Sequence, residues 1–155
     1  MANVVQQDPA ALKAFAWSES IIADVLHRAY PRSQGRSANA QLTLRHRYFW
    51  KSLIFGSEAV SRKDRHALVL AAIDAGLDPG FLAEVDQAVL TELLDVVLLR
   101  FRGQREARQY HLILLAVAGR LCVFALEDQA EPARHYEIAA RGRSPSAVSG
   151  GPPRQ

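Results

Sequence analysis

Gly76-Leu77-Asp78-Pro79-Gly80-Phe81 marks the end of one helix and the start of another. Glycine takes the left-handed conformation that closes a helix at little cost. An aspartate side chain accepts hydrogen bonds from the free amides of the turn that follows. A proline fits the first helical position because its missing N–H would be unpaired there anyway. Residues 79–101 are mostly apolar and predict a long helix beyond the junction.

The neighbouring segments extend the helical reading. Ser61-x-x-Asp64 resembles a capping box and predicts a helix that opens there and runs through Leu68, Leu70, Ala72 and Ile73. Leu42, Leu44, Phe49, Trp50, Leu53 and Ile54 recur at helical spacing and predict a helix over 41–55, closed by Gly56. Ile21, Ile22, Val25, Leu26 and Tyr30 form a similar stripe, ended by Pro31. A short helix from Asp8-Pro9 carries Leu12, Phe15 and Trp17, and residues 32–39 read as a polar loop. The long helix from Pro79 ends near Gly103, and a last one covers 105–127. No segment sustains period-two alternation, so the fold class is all-α.

Composition narrows the function classes. The chain has 155 residues, enough for one domain with its own core. Two units are expected, a helical domain over 1–128 and a basic tail over 129–155, rich in Pro, Gly and Ser and largely disordered. The net charge is +3, but the tail holds Arg134, Arg141, Arg143 and Arg154 against Glu131 and Glu137. What remains for the helical domain is too little to argue for nucleic acid. Arg45-His46-Arg47-Tyr48-Phe49-Trp50 mixes bases and rings, but at helical spacing these divide into a solvated face and a buried one. Cys122 is the single cysteine, which excludes an intrachain disulfide, and its apolar run reads as an inert core position. The N-terminus lacks the order of a signal peptide. The apolar run over 111–126 is broken by Arg120 and is short for a membrane span, so a cytoplasmic protein without a membrane partner is expected.

Two segments are apolar on more than one face. Residues 93–101 leave only Asp95 and Arg100 polar, and in 112–126 Ala116, Gly119 and Cys122 follow at three-residue spacing, which lets another helix come close. Excess apolar surface on two successive long helices predicts packing against a second copy as a four-helix bundle. Its interface would use Leu93, Val97, Phe101, Leu112, Leu115, Gly119 and Cys122.

From about Ser20 to Asp128 the chain resembles the globin domain of globin-coupled sensors and protoglobins. Four segments carry the resemblance. An apolar helix ends in Tyr30, where the family has an aromatic pair. Arg47-Tyr48-Phe49-Trp50-Lys51-Ser52-Leu53-Ile54-Phe55-Gly56 follows, then the basic helix start Ser61-Arg62-Lys63-Asp64-Arg65. Finally, Ala72 stands four residues before the Gly of Gly76-Leu77-Asp78-Pro79, where the family carries its proximal histidine. The resemblance implies a globin-like sensor fold, a pocket lined by Tyr30, Phe49, Trp50, Leu53, Ala72 and Phe81, and Tyr30 on the distal side. Alanine has no lone pair for iron, so the expected member is haemless. Haem would need another ligand, with His46 and His66 as candidates.

Catalysis has no support. Ser18, Ser20 and Ser57 lack a nucleophile elbow, and there is no phosphate-binding glycine loop and no HExxH. Glu84, Asp86, Glu92 and Asp95 read as polar helix positions. The expectation is a regulatory or sensory domain, not an enzyme, that signals through a separate partner protein. An oxygen- or gas-sensing haem globin and a ligand-free helical adaptor are the alternatives.

Overall fold

Gly76 adopts φ +80° and closes a helix as the junction predicts. The Gly76 amide donates to the Ile73 carbonyl, and the Leu77 amide to the Ala72 carbonyl, each at 2.9 Å. This is the Schellman pattern, completed by Leu77 packing on the core. Asp78 then caps the next helix, its carboxylate accepting from the Gly80 amide at 2.9 Å, with proline in the first turn.

In this computed structural model residues 15–30 and 36–130 are described, and they are all-α. A 3-10 turn at Phe15–Trp17 leads into α1 (Ser18–Ala29). Helices α2 (Arg36–Phe55), α3 (Glu58–Asp74), α4 (Pro79–Arg100) and α5 (Glu106–Ala130) follow. Helix α2 packs along α3 and α4 along α5, while α1 lies across α4 and α2. Chain-adjacent pairs therefore make most of the fold, and α1 bridges them.

Several boundaries differ from expectation. Helix α2 begins at Arg36, inside the segment read as a loop. Helix α3 is capped by Ser57, whose hydroxyl accepts from the Val60 amide at 3.2 Å, so Ser61 is not the cap. Ser61 sits buried within the helix and donates back to the Glu58 carbonyl at 3.0 Å. Helix α5 continues to Ala130, past the boundary drawn at 128. The helix start at Asp8-Pro9, Leu12 and the tail beyond 130 lie outside the described residues.

The core runs through all five helices. Phe49, Trp50, Leu53, Leu68, Ala72, Leu82, Leu93 and Leu114 are completely buried. At one end Trp17 lies 5.0 Å from Phe101, and Phe101 5.0 Å from Tyr110, which ties the entry turn to the α4–α5 corner. Near the other end Arg120 of α5 donates to the Leu53 carbonyl at 2.7 Å, serving one of the free carbonyls at the end of α2. By length and composition, residues 106–128 of α5 suffice to cross a membrane, longer than the run read from sequence. One face of this helix is nevertheless packed into the core through Ile113, Leu114, Val117 and Phe124.

Candidate functional site

The most unusual chemistry lies inside the bundle. Asp86 of α4 is 3% exposed and accepts three hydrogen bonds. His46 Nε2 and Trp50 Nε1, one turn apart on α2, meet its Oδ1 at 2.6 and 2.9 Å. Arg65 Nη1, from α3, meets its Oδ2 at 2.7 Å. The chain of contacts continues both ways. Tyr30, the residue capping the end of α1, places its hydroxyl 2.6 Å from His46 Nδ1. Arg65 Nη2 reaches Asp128 of α5 at 2.7 Å. Each of the five helices or its cap thus contributes to one buried polar network.

The charges set its protonation. Burial pushes the Asp86 carboxyl up, but His46, Arg65 and the Trp50 N–H outweigh it and hold the group below the usual carboxylate range. Asp86 is therefore ionised and only accepts, so His46 Nε2 carries a hydrogen. Burial, and then the Asp86 charge, push the Tyr30 hydroxyl well above its ordinary range, so it keeps its proton beside His46 Nδ1. Burial works against the Arg65 cation, but Asp86 and Asp128 more than restore it. The guanidinium also stacks over the Phe49 ring, 5.0 Å from its centroid. A Tyr–His–Asp relay of this kind orients a histidine, yet His46 is completely buried and has no open side for a substrate.

The residues expected to line a pocket do come together, but as core. A void large enough for one water would give its lining side chains accessible surface, and Phe49, Trp50, Leu53 and Ala72 have none. Tyr30 is 3% exposed, and Phe81, half-buried, meets it edge-on at 5.6 Å. These side chains, packed as they are, do not fit a haem. Neither iron-ligand candidate is placed for it: both His46 nitrogens are engaged, and His66 is on the exposed face of α3. Among the described residues no group of three His, Cys, Asp or Glu side chains gathers as a metal site requires.

The expected interface residues divide. Leu93 and Val97 point into their own core, and Phe101 packs on Trp17 and Tyr110, so these three belong to the subunit interior and its edge. Leu112 and Leu115 are about half exposed, and Gly119 and Cys122 are also on the surface. Cys122 is therefore not the core thiol its apolar run predicts. Arg45, Arg47 and Tyr48 face out while His46, Phe49 and Trp50 face in, the division expected of that helix.

Sequence reasoning missed Arg65, Asp86 and Asp128. The signal was their register. Arg65 shares a face with Leu68, Val69 and Ala72. Asp86 sits among Leu82, Val85, Val89 and Leu93, and Asp128 follows Val117 and Phe124. A charge on an apolar stripe is buried, and buried charges need partners. No protein family, curated protein or solved structure was found to match this chain.

Proposed function

We propose that the chain is a globin-like regulatory domain that works without haem, pairs with a second copy through α5, and signals to a separate protein in the cytoplasm. The observation that carries this is a row of exposed residues on α5: Leu112, Leu115, Gly119, Cys122 and Leu126. Steps of three and four residues alternate along it, the spacing of a helix–helix seam. The opposite face of the same helix is already core. A Cβ built on Gly119 would meet nothing within 4 Å, so the subunit's own packing does not require glycine there. A partner helix approaching closely is what glycine allows. Leu98 and Leu99 of α4 add exposed apolar surface, 57% and 76% accessible, and a second copy can cover them in an isologous four-helix bundle.

The same helix is anchored to the interior at its far end. Asp128 pairs with Arg65, and both Glu127 carboxylate oxygens accept from Arg62 Nη1 at 2.8 Å. A small movement of α5 at the seam is thereby linked to the Asp86 network, which supports a shift between long helices as the signal. The closed core around Ala72 supports the haemless reading. It favours equally a ligand-free adaptor, the second reading, which differs in having no coupling between the seam and partner binding.

Light scattering on the full chain, with haemin titration in parallel, tests the proposal. The expected result is a dimer, converted to a folded monomer by Leu115→Glu with Leu126→Glu, and no saturable Soret band. A wild-type monomer would sink the seam. A stoichiometric Soret band that moves with CO on reduction, and is lost in His46→Ala, would sink the haemless reading. Partner affinity unchanged between dimer and monomer would leave the adaptor.

A further inference from the structure

A second surface on the molecule is built differently from the α5 seam. Between α1 and α2 lies a pocket of about 200 Å³. Ile22, which is buried, and Phe55, half-buried, provide apolar lining. Leu44 and Tyr48, 46% and 56% exposed, line it from α2. Arg47 and Lys51 line the same pocket one helical turn apart, both exposed, and neither forms an ion pair among the described residues. Among the described residues Glu19 is the one carboxylate that lines it, and it is paired with neither cation.

We propose that this pocket docks an acidic amphipathic segment of a partner protein, one apolar side chain entering between Ile22 and Phe55 while carboxylates about a turn away pair with Arg47 and Lys51. The volume argues for a peptide. Pockets for drug-sized molecules run to about 300–1,000 Å³, and this one is smaller, the size for a single anchoring side chain. The charge argues for an acidic one. Among the described residues two unpaired cations stand beside one carboxylate and leave the rim positive, and Arg47 offers a planar fork that matches a carboxylate. An apolar anchor flanked by matching charge is how an amphipathic helix is read by a groove. Two cations are few for nucleic acid, which is held by a longer run of phosphate contacts. The inference rests on the regulatory reading above and names the class of partner that reading requires.

A phage-displayed library of random short peptides, selected on the full wild-type chain, tests it. The expected winners carry Leu or an aromatic residue with Asp or Glu within one turn. Their affinity, read by fluorescence anisotropy, weakens with salt and drops about tenfold in Arg47→Glu with Lys51→Glu. Both side chains are exposed, so circular dichroism of that variant should match wild type. Selection of no peptide, of peptides without acidic residues, or of peptides that bind the variant equally would overturn the proposal. So would displacement of the selected peptides by single-stranded DNA. A wild-type dimer that selects no acidic motif removes this site alone. A wild-type monomer that selects one removes the α5 seam and leaves this site standing.

Discussion

Asp86 takes hydrogen bonds from three side chains on two helices, and through Arg65 it is tied to a third carboxylate-bearing helix. Replacing it with asparagine keeps the shape and removes the charge. Arg65 then retains Asp128 alone, and His46 and Trp50 face a neutral amide. Breaking a buried ion pair from one side costs about 3–5 kcal/mol, and the surviving Asp128 contact sets Asp86→Asn at about 3 kcal/mol, read by urea unfolding at pH 7. The pH dependence has a definite sign. The folded carboxyl titrates below its unfolded value, about 3.9 for aspartate, so its stabilisation is full above that value. It is lost as pH falls through the folded pKa. The gap between wild type and Asp86→Asn should therefore narrow as unfolding is followed down into the acid range. A constant gap would mean that the carboxylate charge is not what holds the network. The hydrophobic part of this region is legible in sequence, since Phe49, Trp50, Leu53 and Ala72 recur at helical spacing with other apolar residues, and all four are buried. The polar part is not. A helical stripe shows which positions turn inward, but not that polar groups from five separate segments, three of them charged, join in one network, because that depends on how the helices are packed.

Helix ends were legible where their chemistry is local. The 76–81 junction reads correctly because a positive-φ glycine, a capping carboxylate and a first-turn proline each act within a few residues. Gly76 also isolates the cost of backbone handedness. A Cβ there meets nothing within 4 Å, so Gly76→Ala introduces no clash, only the left-handed penalty of about 1–2 kcal/mol. Thermal and urea unfolding should show that loss with an unchanged fold. A neutral result would mean that the junction relaxes to negative φ. The start of α2 was missed for the opposite reason. Residues 36–40 read Arg-Ser-Ala-Asn-Ala, which has no apolar stripe, so nothing in the pattern separates helix from loop. At α3 two serines compete. Ser61-x-x-Asp64 has the fuller capping signature, yet Ser57 follows the Gly56 turn directly and its hydroxyl is free to accept. Gly56 itself is held tight against α2, where a Cβ would come within 2.9 Å of the Ser52 carbonyl oxygen. The chain reverses there, and the helix must begin at once.

At the scale of the whole molecule, the α5 row constrains how two copies meet. It runs from Leu112 to Leu126 with Gly119 at its middle, so a two-fold axis at Gly119 sets Leu112 of one copy against Leu126 of the other. Continuing the same step leads back from Leu112 to Arg108. A parallel pair would place Arg108 of the two copies side by side, whereas an antiparallel pair keeps those basic ends a helix length apart. Charge thus selects the antiparallel arrangement, and the exposed cysteine can report it. Cys122 lies three residues from the axis, so in the antiparallel pair the two copies of it are offset by about 9 Å along the helices. That exceeds the roughly 7 Å over which Cα atoms can be bridged by a disulfide. Under mild oxidation wild-type Cys122 should therefore stay unlinked on a non-reducing gel. In Gly119→Cys with Cys122→Ser the thiols sit at the axis, and a covalent dimer should form readily. Rapid linking through Cys122 would instead mean a parallel seam, with the Arg108 repulsion offset elsewhere. Linking at neither position would mean that α5 does not face a second copy, and its exposed leucines would then have to be covered by a different protein.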